Sequence, residues 1–204
     1  MTRLRIDAPS PVLPRRAFLA LAAGGLVSAC NTTPPADTFD LLAPADFSRQ
    51  GGGTRAQLLV LEPAALKILD AQGIVVKPSP NEIEYLAKSQ WPDRLPKVVQ
   101  ARLIEAFENT HRIRAVSRPG EGLVIDYQLV SDVRAFQANI AAGAAEVSIS
   151  AKLVSDRSGK VMRSQVFDAA APLASSEAGA VVQALNLAFD DVARAIVGWV
   201  FGAI

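Results

Sequence analysis

Apolar side chains recur along residues 38–204 in two rhythms. A period of two, the strand signature, runs through 38–43, 57–61, 74–77, 81–86 and 112–116. In 81–86, Ile83 and Tyr85 share one face and Glu82 and Glu84 the other. It returns in a long stretch from Leu123 through Tyr127, Leu129 and Val133 that drifts by Phe136 and Ile140, then at 147–153 and 161–169. A three-to-four spacing, the helical signature, links Leu95, Val98, Val99, Leu103, Ala106 and Phe107, and again Val181, Leu185, Ala188, Val192, Ile196 and Trp199. Trp91-Pro92-Asp93 is the expected opening of the first helix, and the hydroxyls of Ser175-Ser176 the expected cap of the second. Residues 63–69 suggest one or two helical turns.

Between these stretches lie turn-forming residues: the Gly51-Gly52-Gly53 loop at 48–55, Pro78-Ser79-Pro80 between two strands suited to a hairpin, Arg118-Pro119-Gly120, and Asp156-Arg157-Ser158-Gly159. Strict alternation means a sheet with one covered and one polar face. The fold class predicted is α+β: a mixed, largely antiparallel sheet with two main amphipathic helices packed on one face, in a single domain over 38–204. The tail from Trp199 to Ile204 is apolar nearly all round, which suits either core packing or an exposed end for a partner or membrane.

The N-terminal residues follow a different pattern. Arg15-Arg16 precede an apolar run over 17–27, then Ser28, Ala29 and Cys30, the one cysteine of the chain. Eleven helical residues cover about 16 Å, roughly half a bilayer core, so the run is too short to span and reads as a signal peptide over 1–29. The paired arginines fit a twin-arginine export signal or an ordinary positive flank. Leu26-Val27-Ser28-Ala29-Cys30 resembles the lipobox of bacterial lipoproteins. That resemblance implies diacylglycerol on the Cys30 thiol, cleavage before it, and an acyl chain such as palmitate on the new amine. Residues 30–37 form the lipidated tether, and the seven after Cys30 reach about 25 Å at most. Asn31, where an inner-membrane retention signal would carry Asp, points by analogy to the outer membrane.

Removing residues 1–29 leaves 175 of the 204, enough for a sizeable core, and half of the whole chain is apolar. It also removes four of the 21 basic and one of the 20 acidic residues, giving a net charge of −2 that speaks against nucleic acid as a partner. No second thiol exists for an intrachain disulfide. Candidate chemistry is sparse. His111 is the sole imidazole and sits at a helix end. No cluster has metal-ligand spacing, no Gly-x-Ser-x-Gly elbow occurs, and the triple glycine lacks the Lys-Ser/Thr of a phosphate loop. Asp190-Asp191 and Glu82/Glu84 read as solvated faces. Lys88, Arg94, Lys97 and Arg102 gather around the first helix, as a solvated face or as contacts for phosphate headgroups or an acidic partner. The expectation is a non-enzyme with no catalytic residue, no metal and no cofactor beyond the lipid on Cys30.

The order of elements adds a resemblance. The lipobox, Phe39-Asp40-Leu41, Pro63 after a strand, Ile74-Val75-Val76-Lys77, and Tyr85-Leu86-Ala87 leading to Trp91 and Leu95-Pro96 together resemble the ABC-type transport auxiliary lipoproteins, the family that includes paraquat-inducible protein C. Tyr85 to Leu103 is the most specific part. The resemblance implies a lipid-transport system of the bacterial envelope, in which an ATPase and a permease serve an MCE-domain substrate-binding protein. The auxiliary lipoprotein would dock that conduit at the periplasmic face of the outer membrane, and some relatives form homo-oligomeric rings. Tyr85, Trp91, Arg94 and Lys97 are the candidate partner-binding residues. Two other functions remain open from sequence: activation of a cell-wall enzyme, and carriage of a lipid between sheet and helices.

Overall fold

The structure, a computed structural model, describes residues 35–47 and 52–204, and Ala36–Ile204 cluster as one compact unit. In chain order come β1 (Asp37–Thr38), an irregular strap over 39–47, β2 (Gln57–Val60), β3 (Ala64–Ala65), β4 (Gly73–Ser79) and β5 (Glu82–Gln90). Then follow α1 (Leu95–Asn109), β6 (Ala115–Ser117), β7 (Tyr127–Asn139), β8 (Ala144–Ser155), β9 (Val161–Pro172) and α2 (Ala178–Phe201). The nine strands form one mixed, open sheet, so the predicted α+β class is what the chain adopts.

β7 is the axis of the sheet. Along one side it pairs in parallel with β2, β3 and β4 in succession, Leu58 facing Tyr127, Ala64 facing Asp132 and Val75 facing Gln137. Residues 57–79 are thus one ribbon climbing beside β7 and interrupted near Pro63 and over 66–72, and the connection that brings β7 back parallel to it runs through β5, α1 and β6. On its other side β7 pairs antiparallel with β8, and β8 with β9. A register shift between Val133 and Ala135 inserts one residue. It moves the inward-facing set of β7 from odd positions (Leu129, Val133) to even ones (Phe136, Ala138), all buried. This is the physical cause of the drift visible in the sequence.

Both helices bury the predicted stripes. Leu95, Val99, Leu103 and Phe107 of α1, and Val181, Leu185, Ala188, Val192 and Ile196 of α2, are at most 1% exposed. Between helices and sheet the space is filled by aromatics: Phe136 lies edge-on to Trp91 (ring centroids 5.8 Å apart) and 6.0 Å from Phe189. The tail packs on this core, since Trp199, Phe201, Ala203 and Ile204 are partly buried against it. Among the described residues, no helix is long and apolar enough to cross a membrane.

Several sequence expectations are corrected. Of 38–43, only Thr38 is in a strand, paired with Gln90; the chain then leaves the sheet because Leu41 and Pro44 are buried in the core instead. Residues 63–69 give a two-residue strand and a turn, because Ala64 and Ala65 find the edge of β7 left open between β2 and β4. α1 starts at Leu95, so the proline of its first turn is Pro96 and its N-cap is Arg94, without a capping side chain. α2 starts at Ala178 after Glu177; the Ser175 hydroxyl accepts from the Glu177 N–H at 3.3 Å and caps no helical amide. β7 begins only at Tyr127, leaving Leu123 and Val124 exposed.

Candidate functional site

Cys30, with Arg15, Arg16, Val27, Ser28 and Ala29, lies outside the described residues. The structure does show what the tether joins. Asp37 and Thr38 pair in parallel with Ser89 and Gln90, and the Phe39 N–H donates to the Gln90 carbonyl at 2.8 Å. The strap then bridges α1 and α2. Its Leu41 is fully buried, and Asn186 of α2 clamps it by accepting from the Leu42 N–H (2.7 Å) while donating to the Asp40 carbonyl (3.2 Å). Arg102 of α1 donates to both oxygens of Asp40 at 2.9 Å and to Glu105 at 2.6 Å. Further along, Asn109 donates to the Pro44 carbonyl at 2.9 Å and Arg194 to that of Asp46. Sequence reasoning missed this strap, although Leu41 and Pro44, apolar among exposed neighbours, mark its buried positions.

The four candidate partner-binding residues do not form one surface. Trp91 is 1% exposed, its ring sealed into the core by Phe136, and its backbone N–H donates to the Gln72 carbonyl at 2.7 Å. Its indole is therefore structural, and a surface role for Trp91 is withdrawn. Tyr85 is half-exposed, with its phenol donating to the Ile68 carbonyl at 3.1 Å. Its ring lies so close over Gly73 that a Cβ there would sit 2.3 Å from Cδ1. Arg94 is bound by Glu62 at 2.6 Å and by Asp70. The hydrogen bond to Asp70, then that to Glu62, holds its guanidinium above its ordinary pKa. Lys97 meets Asp93 at 2.5 Å. The Asp93 carboxyl is held below its ordinary value, first by the hydrogen bond from Lys97 and then by that from the Arg94 N–H. With Arg102 also paired, the basic residues on α1 are matched by carboxylates rather than presented as free charge.

His111 is exposed just past α1, in the left-handed region at φ 52°. It borders an open cleft of about 830 Å³ between the ends of both helices and the strap. There Arg112 stacks 4.4 Å from the centre of the Phe201 ring and Arg194 5.2 Å from that of Phe47. Of the paired carboxylates, Asp190 takes the Arg194 guanidinium at 2.5 Å. Among the described residues no group of three or more His, Cys, Asp or Glu could hold a metal ion. The geometry offers packed attachment points and charged surface.

Known proteins share this arrangement. The family model for the ABC-type transport auxiliary lipoprotein component matches residues 39–197. A protein of Bradyrhizobium diazoefficiens, described as uncharacterized, is 33% identical over 171 residues, 82% of this chain and 45% of that protein. The chain thus spans less than half the length of that curated relative. The crystal structure of a Xanthomonas campestris protein is similar at TM-score 0.78 and 29% identity, covering 82% of this chain and 96% of that one. A hypothetical protein of Chlamydia trachomatis, at TM-score 0.51 and 9% identity over 74% of this chain and 98% of its own, shares the fold alone. The chain belongs to the ABC-type transport auxiliary lipoprotein family.

Proposed function

We propose that this protein is the non-catalytic, lipid-anchored accessory of an MCE-type ABC lipid transporter, docking its periplasmic conduit at the outer membrane. The observation that carries this reading is the match of residues 39–197 to the auxiliary family directly behind a lipobox cysteine. Acyl chains on Cys30 supply the hold: each buried methylene adds about 0.8 kcal/mol, and more than one chain is needed for stable anchoring. A tether of about 25 Å keeps the domain at high local concentration beside its partner, so contacts of modest affinity suffice. The aromatic filling between sheet and helices favours docking over carriage of a lipid inside the domain.

The test is purification of the lipoprotein in mild detergent from native membranes, with quantification of the MCE-domain protein, permease and ATPase. Their recovery with wild-type protein and its loss with Cys30→Ser are expected. Absence of all three from the wild-type preparation overturns the proposal, and outer-membrane placement is checked by density fractionation of the same membranes.

A further inference from the structure

The cations of the domain fall into two groups. Every ion pair among the described residues uses Arg94, Lys97, Arg102 or Arg194. The other twelve described cations are in none of these pairs, and six of them are Arg55, Arg112, Arg114, Arg157, Lys160 and Arg163. The sheet register brings these six to one end of the molecule. Gln57 faces Ala115, Leu58 faces Tyr127 and Tyr127 faces Ser155, so the residues just before β2 and β6 and the β8–β9 turn share a level. The residues just past α2 reach the same place: Ile204 borders an open cleft of about 710 Å³ with Arg55, Val124 and Arg157. The Arg163 guanidinium approaches Gly202, and Arg112 covers Phe201.

Two carboxylates border that cleft and both are hydrogen-bonded. Asp126 accepts from the Gln57 N–H at 2.9 Å and Asp156 from the Gln128 amide at 2.6 Å. Apolar side chains accompany the cations, with Val124 79%, Val161 56% and Met162 52% exposed. A chain whose mature charge is slightly negative therefore has one basic, apolar-studded end, a field that attracts an acidic surface.

Tether length decides which acidic surface. Asp37 lies beside Ser89, and Gln90 beside Gly73, two residues before the Val75 that faces Gln137. The tether thus enters near the level of Ala135, about 26 Å along the strands from Tyr127, with the basic residues farther still. Seven residues reach about 25 Å, so with its strands upright the domain cannot rest this end on the bilayer that holds Cys30. In that upright orientation the basic end points away from the membrane that holds Cys30.

We infer that this end is the docking site for an acidic face of the transporter's periplasmic protein component. The inference rests on the proposed function and adds the surface that makes the contact. The experiment compares full-length lipoprotein with an Arg55→Glu/Arg157→Glu/Lys160→Glu variant and with a Lys67→Glu/Lys88→Glu/Arg134→Glu control, which reverses as many exposed, unpaired cations elsewhere. Co-purification of the transporter is expected to fall at least tenfold for the first and to stay at the wild-type level for the control. Wild-type recovery should also weaken between about 0.1 M and 1 M salt, as the screening length shrinks from about 10 to 3 Å. Equal recovery of wild type and the first variant overturns this inference alone. No recovery with wild type overturns the proposed function and this inference with it. A photo-crosslinking residue placed at Ser158 in the turn gives an independent readout: an adduct with the transporter protein supports the assignment, and an adduct with phospholipid, or none, overturns it.

Discussion

Truncating Leu41 tests whether the strap is part of the folded domain or only rests on it. The side chain is fully buried and its neighbour Leu42 is 62% exposed, so the pair supplies its own control. Leu→Ala at a buried site costs about 2–5 kcal/mol, the transfer of the removed methyl groups plus the cavity left behind. The bottom of that range needs surroundings that can relax. Here the backbone on either side is pinned, by Arg102 on Asp40 and by the Asn186 clamp, so collapse of the cavity is restricted and about 3 kcal/mol is expected. With a urea slope of about 2 kcal/mol/M for a domain of this size, Leu41→Ala should lower the denaturation midpoint by about 1.5 M at unchanged slope. Leu42→Ala should stay within about 0.5 kcal/mol of wild type. If Leu41→Ala costs less than about 1 kcal/mol, or no more than Leu42→Ala, the strap detaches before the rest unfolds and its residues do not belong to the cooperative core.

Gly73→Ala should destabilise by about 1–3 kcal/mol, since the new methyl would sit 2.3 Å from the Tyr85 ring; thermal melts of Gly73→Ala, Tyr85→Ala and the double variant should show the two changes to be non-additive. Trp91→Ala should cost about 3–5 kcal/mol and lower the yield of soluble protein, and retention of the wild-type melting temperature would contradict its place in the core. Because the folded Asp93 carboxyl titrates below its ordinary value of 3.8, its pairing with Lys97 stabilises the fold above that pH and is lost as pH falls through the lowered value. An NMR titration of Asp93 should therefore move upward in Lys97→Ala, and an unmoved midpoint would show that the contact does not persist in solution.

Side-chain periodicity exposed the regular elements, and it did so because burial in a two-layer domain obeys the repeat of the element. The odd positions of β8 from Ala145 to Leu153 are all buried, as are the stripes of α1 and α2 except for the partly buried Trp199. Failures came where tertiary partners override local preference. Ala64-Ala65 has helix-favouring composition, yet a free stretch of the β7 edge captures it as strand. Residues 39–43 have strand-like composition, but the bonds that hold them come from Arg102 and Asn186, up to 146 residues away, and no local rule can foresee them. Trp91 was legible as an aromatic before a helix and not as a buried one, because the ring that covers it, Phe136, turns inward only through the β7 register shift. The charge pattern hid its meaning for the same reason: Arg55, Arg114 and Arg157 are neighbours in register and strangers in sequence.

These long-range bonds bear on how an anchored domain holds together. On the proposed anchoring at Cys30, a pull enters at Asp37, where β1 offers two paired residues and a Gln90–Thr38 side-chain bond of 3.2 Å. So short an edge strand resists little. Beyond it, the load reaches Asp40, Leu41 and Leu42 together, where a paired Arg102, a doubly bonded Asn186 and a fully buried leucine must yield at once. The two helices are gripped by the same few residues, so force on the N-terminal end is shared across both before it reaches the sheet. The chain thus fastens its tether to the helical layer, while the β8–β9 hairpin, a register away at the far edge of the sheet, is left free of that attachment.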